Sequence, residues 1–450
     1  MMRPRPAAAL VLALLAAPAV LAAQKPDRPF STLREQAALQ QQWLKERLEV
    51  VLPQLMREYD VAMWVIPMRE YNEDPLFKAL VSPTTFAARR RTVYVFFDRG
   101  AAGVERLAFG GSSQGELYQT PRATERAPDG RPREFWGTDQ WAFVANAIRE
   151  RNPRNIAVDI SRDHNFADGL SAGEWEQMQA ALGPELMARV VRAEDLALDY
   201  LAVRVPGMDE PYRRMQELIH SIIATAFSRE VITPGVTTTE DVVWWFRQRF
   251  NDLGFGTWFQ PSVDIQRAGA NMGDSTAPVI QRGDLLHCDV GLTAYRLNTD
   301  TQHMAYVLRA GETDAPEGLR RALANGNRLQ DIVMAAMKPG LTGNEVLFAS
   351  LAAMKDAGID GTVYTHAIGE HGHGAGPLIG LWDRQDGVPG RGEVKLRPST
   401  WYSIELQATT PVPEWNNQKV QMMLEEDAAI TPEGATRWIL RRQDALHLVH

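Results

Sequence analysis

Four carboxylates and one imidazole in the second half of the sequence could together hold divalent cations: Asp289, Asp300, His366, Glu405 and Glu425. Asp289 closes the apolar run Leu285-Leu286-His287-Cys288, and Asp300 follows eleven residues later in Asn298-Thr299-Asp300-Thr301. That interval suits two short neighbouring strands joined by a turn around Leu292 to Arg296. An Asp at the end of an apolar strand is costly unless its charge is paired or bound to a cation. Two of them begin a metal site, although the pair alone also reads as ordinary strand-end carboxylates. The other donors settle the matter. His366 follows the apolar-aromatic Val363-Tyr364, Glu405 ends the strand-like 401–405, and Glu425 ends 422–425. The set suits two divalent ions with one or two carboxylates bridging them, and its oxygens and nitrogen favour Mn²⁺, Co²⁺ or Zn²⁺.

The elements that position these donors come in two loose copies. A helix beginning near Arg213-Arg214 ends at Thr233-Pro234-Gly235-Val236-Thr237, and a second runs from Glu240 to Leu253, stopped by Gly254. About a hundred residues later a helix containing Arg320-Arg321 ends at Lys338-Pro339-Gly340-Leu341-Thr342. There Thr342-Gly343-Asn344-Glu345 forms a capping-box pattern, and the next helix runs to Gly358. Each copy continues into strands. Two copies of helix, Pro-Gly turn, helix and strands predict a pseudo-symmetric α+β domain, 206–450, with a site between its halves.

Residues 27–205 read as a separate α/β domain. Leu44, Leu48, Val51 and Leu55 share one stripe of a helix over 33–59. Strands are expected at 61–66, 92–97, 106–109 and 155–160, a helix at 140–151, and a loop at 110–136. No catalytic constellation stands in this half, and His164 has no evident partner. Val205-Pro206-Gly207 is the expected boundary.

Composition narrows the function class. With 450 residues, 45% of them hydrophobic, the chain can bury two full-sized cores. Residues 1–23 read as a cleaved secretory signal: Arg3 and Arg5 lead an apolar core from Ala7 to Leu21, and small Ala22-Ala23 precede Gln24-Lys25. A periplasmic or secreted location follows, with no membrane span in the mature form. Cleavage would take the formal charge from −8 to −8 − 2 = −10. With no extended basic run or basic-aromatic interleaving, the sequence argues against nucleic acid as a partner. Cys288 is the single cysteine, so no intramolecular disulfide can form. Oligomeric state is not legible, and a homo-oligomer stays open.

Over roughly 210–435 the sequence resembles the pita-bread metallohydrolases: methionine aminopeptidase, aminopeptidase P, prolidase and creatinase. Their pattern is Asp, a second Asp about eleven residues on, His in an H-x-I-G context, Glu and Glu. Here it is met by Asp289, Asp300, His366-Ala367-Ile368-Gly369, Glu405 and Glu425. The first domain resembles the α/β domain of aminopeptidase P, prolidase and creatinase. The implied fold is therefore an α/β N-terminal domain followed by an α+β pita-bread domain with a pseudo-twofold repeat. By the same resemblance Asp289 chelates one metal, Asp300 and Glu425 bridge both, and His366 and Glu405 complete the other. A metal-bridged hydroxide would be the nucleophile and Glu405 its proton acceptor. His373, seven residues after His366 in the glycine-rich His371-Gly372-His373-Gly374-Ala375-Gly376-Pro377, matches the family's second histidine. It would contact the scissile peptide and the developing oxyanion. His371 is expected to be a surface residue, and His287, on the same strand face as Asp289, a packed or outer-layer histidine.

Two positions depart from the proline-directed members. Their substrate-side His, about seventeen residues before the first Asp, is Met272, and their Arg two residues before the last Glu is Met423. Metal binding is untouched and substrate choice is left open. The implied activity is a metallo-aminopeptidase acting on peptides, of Xaa-Pro type. The alternatives are an Xaa-Pro dipeptidase or a non-catalytic pita-bread binding protein, which would be expected to have lost ligands.

Overall fold

A computed structural model describes residues 29–270 and 278–450. The expected signal segment 1–23 and Met272 lie outside the described residues.

The chain enters through α1 (Leu33–Glu46), capped by Thr32 and Glu35, each bonded to the other's backbone N–H. A π-helical stretch, Arg47–Val51, leads into α2 (Leu52–Glu58). The expected stripe Leu44, Leu48, Val51 and Leu55 is buried. The wider π turn brings Arg47 to the same side, where it is buried as well. β1 (Met63–Arg69), the short α3 (Phe77–Leu80), β2 (Arg91–Asp98) and β3 (Val104–Phe109) follow. The region expected as loop carries a small hairpin, β4 (Thr124–Arg126) and β5 (Pro132–Glu134). Then come α4 (Thr138–Arg151), β6 (Ile156–Val158), α5 (Ala172–Met187), β7 (Val190–Arg192) and α6 (Glu194–Ala202). The sheet order is β3-β2-β1-β6-β7, with β6 parallel to both β1 and β7. Alternation along β1 separates two cores. Met63 and Val65 pack with Trp141, Val144 and Met178 of α4 and α5, while Trp64 and Ile66 pack with Leu52, Leu55 and Tyr200.

After Val205-Pro206-Gly207 the predicted repeat appears. α7 (Asp209–Ala226) begins slightly earlier than Arg213, and α8 (Thr239–Leu253) is closed by Gly254 at φ 78°. α9 (Glu317–Ala336) and α10 (Gly343–Asp356) repeat the pair. Thr238 with Asp241 and Thr342 with Glu345 build matching capping boxes, and Gly235 and Gly340 turn the preceding loops at φ 85° and 91°. The first pair is followed by β8 (Ser262–Gln266), β9 (Leu285–Val290), the hairpin β10 (Thr293–Ala294) and β11 (Leu297–Asn298), and β12 (Thr301–Val307). The second is followed by β13 (Asp360–Val363), β14 (Thr365–Ala367), β15 (Leu378–Ile379), β16 (Thr400–Ser403), β17 (Leu406–Val412) and β18 (Gln418–Leu424). β19 (Asp427–Ile430), β20 (Thr436–Trp438) and β21 (His447–Val449) complete the chain.

The larger sheets of this half run β21-β12-β9-β8, β13-β17-β18 and β15-β14-β16-β19-β20. This is the α+β pita-bread arrangement: two helix pairs backing strands that pair antiparallel except β12 with β21 and that meet at the centre. The meeting point is an antiparallel bridge between Gln302 and Glu425. No described helix is long and apolar enough to cross a membrane.

Candidate metal centre

Four of the donors sit at or beside a strand end, and His366 sits within a short strand. Asp289 is on β9, paired across from Gln302 on β12. The intervening hairpin turns at Tyr295 and Arg296, both in the left-handed region (φ 54° and 61°), which delivers Asp300 directly before β12. His366 lies on β14, opposite Ser403 of β16. Its Nδ1–H donates to the carbonyl of Ala367 at 2.9 Å, which directs Nε2 at the carboxylates. Glu405 occupies the turn between β16 and β17. Glu425 follows β18 and accepts from the Ser403 hydroxyl at 2.7 Å.

The fold gathers all these donors in one place. His366 Nε2 is 3.3 Å from Glu425, 3.6 Å from Asp300 and 3.8 Å from Glu405. Donor atoms of Asp289, Asp300 and Glu425 lie within 4.8 Å of one another, and so do those of His366, Glu405 and Glu425. Glu425 belongs to both sets.

The electrostatics demand positive charge. Burial, with Glu425 beside it, pushes the Asp289 carboxyl up to about 7. The same two causes push Asp300 and Glu405 well above the carboxylate range. Burial opposes charge on His366, yet Glu425 and Glu405 raise it to about 9. Asp289 Oδ1, Asp300 Oδ1 and His366 Nε2 are buried and have no hydrogen-bond partner. Buried carboxylate oxygens without partners are what divalent cations would satisfy, with His366 giving up its Nε2 proton to bind one. The residues fit such ions.

Two residues at the centre were not foreseen. The Gln302 side-chain amide donates to Glu405 at 2.5 Å and to Glu425 at 2.8 Å. Its oxygen accepts from His287 Nε2 at 2.9 Å, so His287 stands one amide away from the carboxylates. The signal was present: Gln302 is two residues past Asp300, and strand residues of that spacing share a face. The second is Trp258, whose indole N–H donates to the Thr299 carbonyl at 2.9 Å. Its ring stands perpendicular to His373, 5.0 Å between centroids. At Gly372 a Cβ would come within 2.2 Å of that ring, so only glycine lets the loop approach.

His373 opens to the cleft, its ring perpendicular to His366 at 4.8 Å. Burial of its ring and the neighbouring His366 hold it down to about 4, so it is neutral at pH 7. His371 instead packs against Phe166 of the first domain at 4.7 Å and is half-buried rather than fully exposed. Next to it, Glu370 is gripped by Arg47 at 2.6 Å and by Arg204. The glycine loop is thus fixed from the first domain.

The model of metallopeptidase family M24 matches residues 210–432. No curated protein is significantly similar in sequence. Among solved structures, the X-Pro aminopeptidase of Thermotoga maritima MSB8 aligns with a TM-score of 0.61 at 15% identity, over 88% of this chain and 100% of its own. The Xaa-Pro dipeptidase of Bacillus anthracis aligns at 0.57 and 15% identity, over 91% and 99%. The N-terminal domain of FACT complex subunit SPT16 from Cicer arietinum aligns at 0.57 and 10% identity, over 91% and 99%. At such identities the likenesses establish the fold alone. With the matched segment carrying every donor of the centre, the chain belongs, through residues 210–432, to metallopeptidase family M24.

Proposed function

We propose that this protein is a dinuclear metal-dependent peptidase that hydrolyses N-terminal peptide bonds, an Xaa-Pro aminopeptidase in type. The observation that carries the reading is Glu425, common to two donor sets whose remaining members, Asp289 with Asp300 and His366 with Glu405, are buried or half-buried with their donor atoms within 4.8 Å of one another. Asp289 would hold one ion, His366 and Glu405 the other, with Asp300 and Glu425 between them. Two divalent ions bound there would supply Lewis acidity and an activated water at neutral pH, where a bound water's pKa falls to ~7.

The protein's own groups do the rest. Glu405, oriented by the Gln302 amide, accepts the proton of the attacking water and returns it to the leaving nitrogen. Neutral His373 donates an N–H to the scissile carbonyl oxygen as charge develops on it. Trp258 and the glycine loop wall that side of the cleft. The N-terminal domain, 27–205, acts through Arg47 on the loop that bears His373. Export through residues 1–23 would place the enzyme in the periplasm or outside the cell.

A dipeptidase is the second reading, and Arg391 favours it. Its guanidinium donates to the Gly374 carbonyl at 2.7 Å, one residue from His373, while its buried Nε has no partner. A free substrate carboxylate would supply one. Metal analysis of the purified protein, coupled to assays on Xaa-Pro-Yaa and Xaa-Pro substrates, tests both readings. Two bound ions with cleavage of neither would overturn the peptidase assignment.

A further inference from the structure

Behind the metal centre, on the far face of the same strands, stands a second group of metal-ligating side chains that peptide hydrolysis does not use. Neighbours along a strand point to opposite faces. Gln302 turns towards Glu405 and Glu425, and His303 turns away from them. Glu425 and Glu426 divide in the same manner. On the far face His303 Nε2 lies 2.7 Å from Glu426 Oε1, and His220 of α7 places its Nε2 2.9 Å from Glu426 Oε2. The two imidazoles meet nearly perpendicular at 4.7 Å, and the donor atoms of all three residues lie within 4.8 Å of one another. All three side chains are buried.

An outer partner and an entry path are also present. His447 on β21 sets its Nε2 3.0 Å from His303 Nδ1. The Glu426 carboxylate accepts from the Nε2–H of both His220 and His303, and His447 can accept the Nδ1–H of His303, holding the ring where an ion would replace the Nε2 proton. His220, His303 and His447 line a cavity of about 280 Å³ that the 441–445 segment completes. Two imidazoles and one carboxylate beside an open cavity match the donor set of zinc sites that keep a position for water or another ligand.

We propose that His220, His303 and Glu426 form a second, mononuclear site for a borderline divalent ion such as Zn²⁺, with His447 as its positioning residue. It is separate from the Asp289–Glu425 centre and stands whether or not the peptidase reading does.

Zn²⁺ is the probe. Crystals of the full chain grown with Zn²⁺ and measured at the zinc edge should give an anomalous peak ~2.0–2.1 Å from the Nε2 atoms of His220 and His303. This peak would be distinct from density beside Asp289 and Glu425. In solution, the Asp289→Asn/Asp300→Asn variant should retain about one equivalent of Zn²⁺ after gel filtration and lose it when His220→Gln is added. The proposal is overturned if crystals loaded at Asp289 and Glu425 show no peak at His220, or if His220→Gln leaves zinc retention unchanged. A peak at His220 with none at Asp289 and Glu425 supports this site and leaves the peptidase reading to the metal analysis and peptide assays. Crystals without zinc at His220 overturn this proposal whatever stands at Asp289 and Glu425. The crystal measurement uses the unaltered chain, so it decides the matter even where a variant fails to fold.

Discussion

Gln302 and Glu425 join the two halves of the pita-bread domain twice over. Each donates its backbone N–H to the other's carbonyl, at 3.1 and 3.2 Å, and the Gln302 side-chain amide then donates to the Glu425 carboxylate at 2.8 Å. The seam of the pseudo-symmetric fold is therefore also an orienting contact of its central donor. Removing the amide should loosen Glu405 and Glu425 together. We predict that Gln302→Ala lowers metal affinity 10–100-fold, the usual scale for losing an outer partner of a ligand. Saturating Mn²⁺ should restore part of kcat. Metal titration followed by activity measures this, and unchanged affinity would count against an orienting role.

The metal-free protein should lose stability as pH rises. Burial and Glu425 raise the folded-state Asp289 carboxyl to about 7, and Asp300 and Glu405 move the same way. A raised folded pKa contributes stability below the unfolded value, ~4, and that contribution disappears as pH passes through the folded value. The melting temperature of chelated protein should thus fall between pH 5 and 8, and Mn²⁺ or Zn²⁺ should restore it most at the upper end. Parallel melting curves with and without metal across that range would remove the argument for cations at this site.

Glu370 predicts the opposite sign. Burial alone would raise its carboxyl, but Arg204 and Arg47 hold it down to about 2. Its contribution is present above the ordinary carboxylate pKa and is lost as pH falls towards 2. At pH 7, Glu370→Gln leaves two buried guanidiniums uncompensated, and we expect it to cost about 3–5 kcal/mol. Denaturant midpoints of both proteins from pH 7 to pH 2 should converge at the acid end. A constant gap between them would refute the assignment.

Much of the site was legible in the sequence because its donors are charged and end apolar strands, where a charge needs a reason. The repeat was legible through Gly235, Gly340 and the Thr342 capping box, whose turn and capping chemistry is local; the matching Thr238 box emerged only in the structure. The first domain hid more. α6 is buried from Leu196 to Ala202, so it shows no amphipathic period. α5 contains Gly183, at φ 72°, followed by Pro184, which reads as a stop. Gln302 and Trp258 escaped because a neutral amide and an indole acquire their roles only from neighbours distant in sequence. His220, His303 and His447 were invisible as a group for the same reason.

His373 and His371 should separate cleanly in kinetics. Only His373 faces His366; His371 packs on Phe166. His373→Ala should lower kcat roughly 10²–10³-fold, the cost of one transition-state donor, with metal content unchanged. His371→Ala should leave kcat within about threefold and lower thermal stability instead, through the lost domain contact of ~1 kcal/mol. Equal kinetic losses at both positions would mean that the loop binds substrate differently.

Specificity carries the last prediction. Met423 lies half-buried on β18, paired with Gln407 of β17 and two residues before Glu425. The proline-directed relatives that the sequence resembles have Arg there, and a His at the position of Met272. A hydrogen bond to a charged group contributes ~1.5–3 kcal/mol, so an unreplaced loss weakens transition-state binding by one to two orders of magnitude. The thioether adds apolar, adaptable surface in its place. We therefore expect modest cleavage of Xaa-Pro-Yaa peptides, with apolar residues tolerated where proline would sit. Met423→Arg should raise kcat/KM for Xaa-Pro-Yaa over Xaa-Ala-Yaa by about tenfold, one such bond regained in part. The measurement is a tripeptide and dipeptide panel with Mn²⁺ for both proteins. Strong proline selectivity in the unaltered chain, or none gained by Met423→Arg, would show that another residue anchors the substrate.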